Sequence, residues 1–148
     1  YTPGDVPVTT KHRDRCGLSL VTDVGVRLPA HLTASGRALL AALPAAQVRA
    51  LYPHADAFVD RTGRGPRSPS ALRSLLVETR QRGHATEDGE VTEGLASVAA
   101  AVLDHTGHPA AGIAVTYPVD EQQVDPAALA ADVRRTAHLL TTRLGGRP

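Results

Sequence analysis

The stretch LASVAAAVLDHTGHPAAGIAVTY, residues 95–117, decides the fold. Two apolar runs flank the turn-forming DHTGHP, the pattern of neighbouring strands joined as a hairpin. Successive strand residues face opposite sides of a sheet. The first run therefore divides into a face of Leu95, Ser97, Ala99, Ala101 and Leu103 and a face of Ala96, Val98, Ala100 and Val102. With residues 105–108 as the loop, Asp104 is expected opposite Pro109, Ser97 opposite Thr116, Val98 opposite Val115 and Ala99 opposite Ala114. The bulky Ile113, Val115 and Tyr117 then collect on one side, and Ser97, Thr116, Ala99, Ala114 and Gly112 on the other. One face is core. The other is hollow, either filled by a closely packed helix or left as a ligand pocket. Two inward hydroxyls, Ser97 opposite Thr116, need partners that a polar ligand or waters supply, which tilts the reading toward a pocket.

Upstream of the hairpin, EDGEVTEG (residues 87–94) reads as an acidic loop in which Glu87 is set apart and Asp88, Glu90 and Glu93 are solvated. Before it, Ser68 and Pro69 open a helix with Leu72, Leu75, Leu76 and Thr79 on its buried face and Gly83 at its end. Residues 60–69, with Arg61, Arg64 and Arg67 among glycines and prolines, predict a mobile surface loop. Leu32, Gly36, Leu39, Leu40 and Leu43 recur at helical spacing between a Thr33 cap and Pro44. A short helix through Val48, Leu51 and Tyr52 stops at Pro53. Residues 6–11 and 17–22 read as an antiparallel strand pair. Downstream, Asp125 and Pro126 start a closing helix with Leu129, Val133, Ala137, Leu140 and Leu144 on one face and Gly145 and Gly146 at its end. Strands and helices come in blocks, which favours an α+β domain: an antiparallel sheet with helices packed on it.

Composition narrows the function. At 148 residues the chain suits one domain, and 42% hydrophobic with 21% charged residues suits a folded one. One Phe, three Tyr and no Trp leave the core to Ala, Val and Leu. A formal net charge of +1 argues against a nucleic-acid-binding segment. Cys16 is single, and neither a leader nor a long apolar run is evident, so a soluble cytoplasmic chain is expected. The chain opens on Tyr1 and contains no Met, which predicts a further N-terminal segment. No nucleophile elbow or phosphate-binding loop is present, so an enzyme is not expected. Asp104, His105 and His108 offer metal-ligand chemistry but sit where a turn wants polar residues; no metal or cofactor is expected. His31 reads equally as a pocket residue or a packed structural one.

Four stretches together resemble a known family: RLPAHLTASGRALLAAL (residues 27–43), RGHATEDGE (82–90), EGLASVAAAVLDHTGHPAAGIAVTYP (93–118) and the closing helix. They are similar, in order, to the effector-binding domain of the IclR family of bacterial transcription regulators. The resemblance implies a GAF/profilin-like fold, a curved antiparallel sheet with a ligand on its concave side and helices on the other. It implies that residues 1–148 are an N-terminally incomplete effector-binding domain, with DNA bound only through an absent N-terminal winged helix-turn-helix domain. It further implies a small-molecule effector, an organic acid or related polar compound, and a homodimer or tetramer.

Carried over position by position, the resemblance assigns ligand contacts to Ala34, Ser35 and Gly36, whose backbone N–H groups at a helix start suit an anion. It also assigns Glu87 as the acidic position, Leu95 and Ser97 on the first hairpin strand, and Ala114 and Thr116 on the second. Ala101, Gly89 and Ala114 depart from the residues the family commonly carries there. An enzyme using Glu87 or His31, and a purely structural dimerisation module, are the alternatives.

Overall fold

The computed structural model describes the backbone of residues 5–7 and all of residues 26–147. Its centre is the expected hairpin, β4 (Leu95–Leu103) and β5 (Pro109–Pro118). Ser97 pairs with Thr116, Val98 with Val115 and Ala99 with Ala114, the register anticipated from the two faces. The turn end differs. A bulge between Val102 and Leu103 sets Leu103, rather than Asp104, opposite Pro109. Asp104 instead organises the turn: its Oδ1 accepts from the Thr106 and His108 amides and the Thr106 hydroxyl. Strand β3 (Ala85–Asp88) pairs antiparallel with β4, giving a three-stranded sheet in the order β3-β4-β5.

A separate two-stranded ribbon joins β1 (Asp5–Pro7) to β2 (Arg27–Pro29). Val6 thus lies opposite Leu28. The remainder of the strand pair expected over residues 6–22 lies outside the described residues.

Helices cover both faces of the sheet, which corrects the expectation of helices on one side only. Helix α1 (Ala34–Ala42) lies on the small face, where Ala34 and Ala38 meet Ala85 and Ala99. Alanines on both sides let the backbones approach closely, so the closely packed helix, rather than a pocket, fills this part of the hollow. Helix α4 (Pro126–Arg143) lies on the other face, where Val133 and Ala137 meet Ala100 and Val102. Its buried stripe is Ala130, Val133, Ala137 and Thr141, whereas Leu144 is 49% exposed. Thr141 displaces Leu144 because its hydroxyl accepts the Leu103 N–H, a donor that β3 is too short to pair.

Helix α2 (Ala45–Leu51) and helix α3 (Pro69–Arg82) complete the second core: Leu40, Tyr52, Leu72 and Leu76 pack with Ala30 and Ala41. Leu72 and Leu76 are each 1% exposed, a burial that contributes about 1.5–3 kcal/mol per side chain. The caps are those the sequence predicts: Thr33 accepts from Gly36 N–H, Ser68 from Ala71 N–H and Asp125 from Ala127 N–H. The loop over residues 60–69 has no helix or strand before Pro69, yet it is anchored. Pro66 is buried, Gly65 presses on the Leu32 side chain, and Arg67 pairs with Asp60 at 2.6 Å.

Candidate functional site

The segment before α1 sets the site's first wall. Gly36 packs directly on the backbone of Ala30, so closely that a Cβ there would overlap the Ala30 carbonyl. Only glycine permits this approach. The contact seats the first helical turn over the sheet, with Ser35 above Gly112 of β5. The Gly36 N–H donates to Thr33 Oγ1 at 3.0 Å, so it is not available to a ligand, contrary to the expectation for that one of the three turn residues. Ala34 is buried against the sheet and Ser35 half-buried.

Strand β3 supplies the acid. Its burial alternates, with Ala85 and Glu87 inside and Thr86 and Asp88 outside, so Glu87 shares the α1 side of the sheet with Ala85. Glu87 lies opposite Ser97, and Ser97 lies opposite Thr116, so three neighbouring strands present one polar row. The Ser97 hydroxyl donates to Glu87 Oε1 at 2.7 Å and stands 2.9 Å from the Thr116 hydroxyl. Glu87 Oε2 accepts the Glu90 N–H at 3.2 Å. Burial pushes the Glu87 carboxyl above the usual carboxylate range, against the opposing effect of the Ser97 and Glu90 hydrogen bonds. Glu87 and Ser97 are buried while Thr116 is exposed, so the row runs from the interior to the surface.

The structure therefore joins Glu87, Ser97 and Thr116 directly. Leu95 and Ala114 lie on the same sheet face one step away, Leu95 buried and Ala114 exposed. Ala34 stands over Ala99, two strand residues beyond Ser97, and Ser35 over Gly112, four residues from Thr116. Two clefts flank the row, and neither is lined by Glu87, Ser97 or Thr116. One of about 790 Å³ lies at the open end of the hairpin beside Gly94, Leu95 and Pro118. The other, of about 410 Å³, lies between α1, the end of α3, β4 and α4.

Two participants escaped the sequence reading. Arg37 is 2% exposed; its Nε donates to the His31 carbonyl, Nη1 to the Thr86 carbonyl and Nη2 to Glu90 Oε1, each at 2.8 Å. Glu90 is thus a half-buried partner and not a solvated acid, and its other oxygen accepts the Asp88 N–H. The signal was present: Arg37 shares a helical stripe with Ala34, Ala38 and Ala41, and an arginine on an otherwise apolar face needs a buried partner. Arg37 ties the segment before α1 to the β3 turn, the two walls of the site. Gly89, at φ 67°, lets that turn close in a conformation that other residues rarely adopt.

His31 is structural. Its ring packs edge-on against Tyr52 and Phe58, with centroids 5.5 and 5.2 Å away, and its Nε2 lies 2.9 Å from the Val59 carbonyl. Burial, aided by the Arg37 charge and opposed by the Val59 hydrogen bond, holds its pKa below the usual histidine value. Among the described residues, no group of three or more His, Cys, Asp or Glu could hold a metal ion. No helix of the described residues is long and apolar enough to cross a membrane.

Residues 8–142 match the family described as bacterial transcriptional regulator IclR C-terminal. The chain is 35% identical over 129 residues to the glycerol operon regulatory protein of Streptomyces coelicolor, covering 84% of this chain and 49% of that protein. It is 32% identical over 124 residues to the transcriptional repressor IclR of Escherichia coli, covering 83% of this chain and 45% of that protein. The chain thus spans about half the length of the curated relatives it matches. The crystal structure of the Agobacterium tumefaciens repressor BlcR superposes with a TM-score of 0.85 at 30% identity, over 99% of this chain and 58% of that one. The Thermotoga maritima IclR structure shares the fold at a TM-score of 0.84 and 21% identity, over 97% of this chain and 58% of that one. The chain belongs to the IclR family of bacterial transcriptional regulators, to the part of them that forms the C-terminal domain.

Proposed function

We propose that this chain is the ligand-sensing and oligomerising domain of a cytoplasmic regulator in which a small metabolite, bound beside the Glu87–Ser97–Thr116 row, controls DNA binding by an N-terminal domain. The observation that carries this reading is the row itself. A buried carboxylate is held by a hydroxyl, which is linked in turn to an exposed hydroxyl that water or a ligand can reach. Polar groups led from the interior to the surface in this way match the few convergent polar groups that orient a ligand. Glu87 accepts hydrogen bonds, and the hydroxyls of Ser97 and Thr116 give or take them. An organic acid that also carries a hydroxyl, or a related polar compound, fits this inventory.

Signalling follows by linkage. A ligand that binds one arrangement of a homodimer or tetramer more tightly shifts the population toward it, and the DNA-binding domains move with it. Arg37 gives the site a route to the fold, because it joins both walls through backbone carbonyls and an ion pair.

Calorimetric titration of the full-length protein against small hydroxy acids, simple carboxylates and polyols tests this proposal. Saturable binding without turnover is expected for one class, weakened roughly tenfold by Thr116→Val, which removes the exposed hydroxyl while keeping its shape. Turnover of a bound compound, or affinity unchanged in Thr116→Val, would overturn it.

A further inference from the structure

The cleft of about 410 Å³ lies at the other end of β4 from the Ser97 row. It exists because β3 is short: Ala85 pairs with Ala99, and no described residue pairs with β4 beyond that point on this edge. The gap is bounded by Ala38, Ala41 and Ala42 of α1 and by Ala100 and Ala101 of β4. These side chains are too small to fill it. Thr79, Arg80, Gly83 and His84 close one side, and Arg134, His138 and Thr141 the other. Ala101 lies four residues along the strand from Ser97, about 13 Å away, so the cleft is separate from the row.

Its charge is one-sided. Arg80 and Arg134 line the cleft, and no Asp or Glu is among the described residues that line it. Arg80 is steered by its Nε, which donates to the Ala41 carbonyl at 2.7 Å and leaves the terminal guanidinium nitrogens without a carboxylate partner among the described residues. The Arg134 guanidinium lies over Gly83, where a Cβ would come within 3.1 Å of its Nε. Arg134 and His138 are one helical turn apart on α4 and so face the cleft together. The cation at Arg134 is also favoured by the C-terminal end of α3. That accounts for one cation and leaves Arg80 and His138 converging on the same space.

We propose that this cleft is a second binding site, for a small organic anion with an apolar body and one carboxylate. The alanine floor takes the body, and the guanidinium groups of Arg80 and Arg134 take the carboxylate, with the His138 ring beside it. The volume falls in the range of small-molecule sites. Because all four bounding elements contribute, an occupant would brace α1 against α4 across the edge that β3 leaves open.

The test uses benzoate as probe and benzyl alcohol as its uncharged counterpart, with the imidazole resonances of His84 and His138 followed by NMR in the full-length protein. His84→Gln and His138→Gln assign the two signals. Benzoate is expected to shift both saturably at millimolar concentration, with benzyl alcohol far weaker. Arg134→Gln, an exposed change that leaves the core alone, is expected to weaken benzoate roughly tenfold or more. Thr116→Val is expected to leave it unchanged, which separates this site from the Ser97 row. Absence of saturable shifts, equal binding of benzyl alcohol, indifference to Arg134→Gln, or sensitivity to Thr116→Val would each overturn the proposal.

Discussion

The Arg37 guanidinium meets the Glu90 carboxylate at 2.8 Å, with only 3% and 14% of the two side chains exposed. The pair links helix α1 to the turn after β3, and the two remaining arms of Arg37 hold the carbonyls of His31 and Thr86. Desolvating both ions costs energy that their attraction and the extra hydrogen bonds offset, so the pair sets geometry more than it adds net stability.

Removing one partner exposes that cost. Arg37→Leu strands a carboxylate and two carbonyls, and a loss of about 3–5 kcal/mol is expected by urea denaturation. Replacing both residues by apolar ones of similar volume should recover much of it. If the double variant is as unstable as the sum of the singles, the pair is not the source of the loss.

Glu87 makes stability fall with pH over one window. Its folded pKa is raised, so the native state binds more protons than the unfolded chain between the ordinary carboxylate value and the displaced one. Stability is therefore highest below that window and declines as pH rises through it. Glu87→Gln should flatten this decline in urea midpoints measured from acidic to neutral pH. Retention of the full slope in that variant would assign it to another group.

His31 works in the opposite sense. Its folded pKa lies below 6.5, so the unfolded chain binds the extra proton first and stability falls as pH drops beneath that value. His31→Gln keeps a donor for the Val59 carbonyl, and it should shrink the acid-side loss. An unaltered acid-side profile would show that His31 does not titrate on unfolding.

Gly36→Ala drives a methyl group into the Ala30 backbone. The helix cannot retreat without opening the alanine contacts of Ala34 and Ala38 with Ala85 and Ala99. A destabilisation of about 1–3 kcal/mol is expected by thermal or urea unfolding. The gain of helix propensity on replacing glycine, about 1 kcal/mol, acts the other way, so a net stabilisation would show that the contact yields easily.

Ser97→Leu, an obvious way to block the polar row, is a poorer probe than the sequence makes it look. Ser97 is 8% exposed and supplies the hydroxyl that Glu87 accepts, so leucine there would both overfill the interior and strip a buried carboxylate of its donor. Thr116 is reachable from outside, which makes Thr116→Val the cleaner change.

What the sequence determined by itself is local. Strand alternation set the register that places Ser97 opposite Thr116, and Thr33, Ser68 and Asp125 marked the helix starts, because caps and pleat depend only on neighbours along the chain. The tertiary structure decided what lies across space. It put α1 onto the alanine face, spent the Gly36 N–H on Thr33, and exchanged Leu144 for Thr141 on the buried side of α4. It turned Glu90 from a solvated acid into the counter-ion of Arg37, and it ended the pairing of β3 with β4 at Ala85 and Ala99. Periodicity names an apolar face but not what covers it. A buried charge finds its partner through the fold, here 53 residues away along the chain.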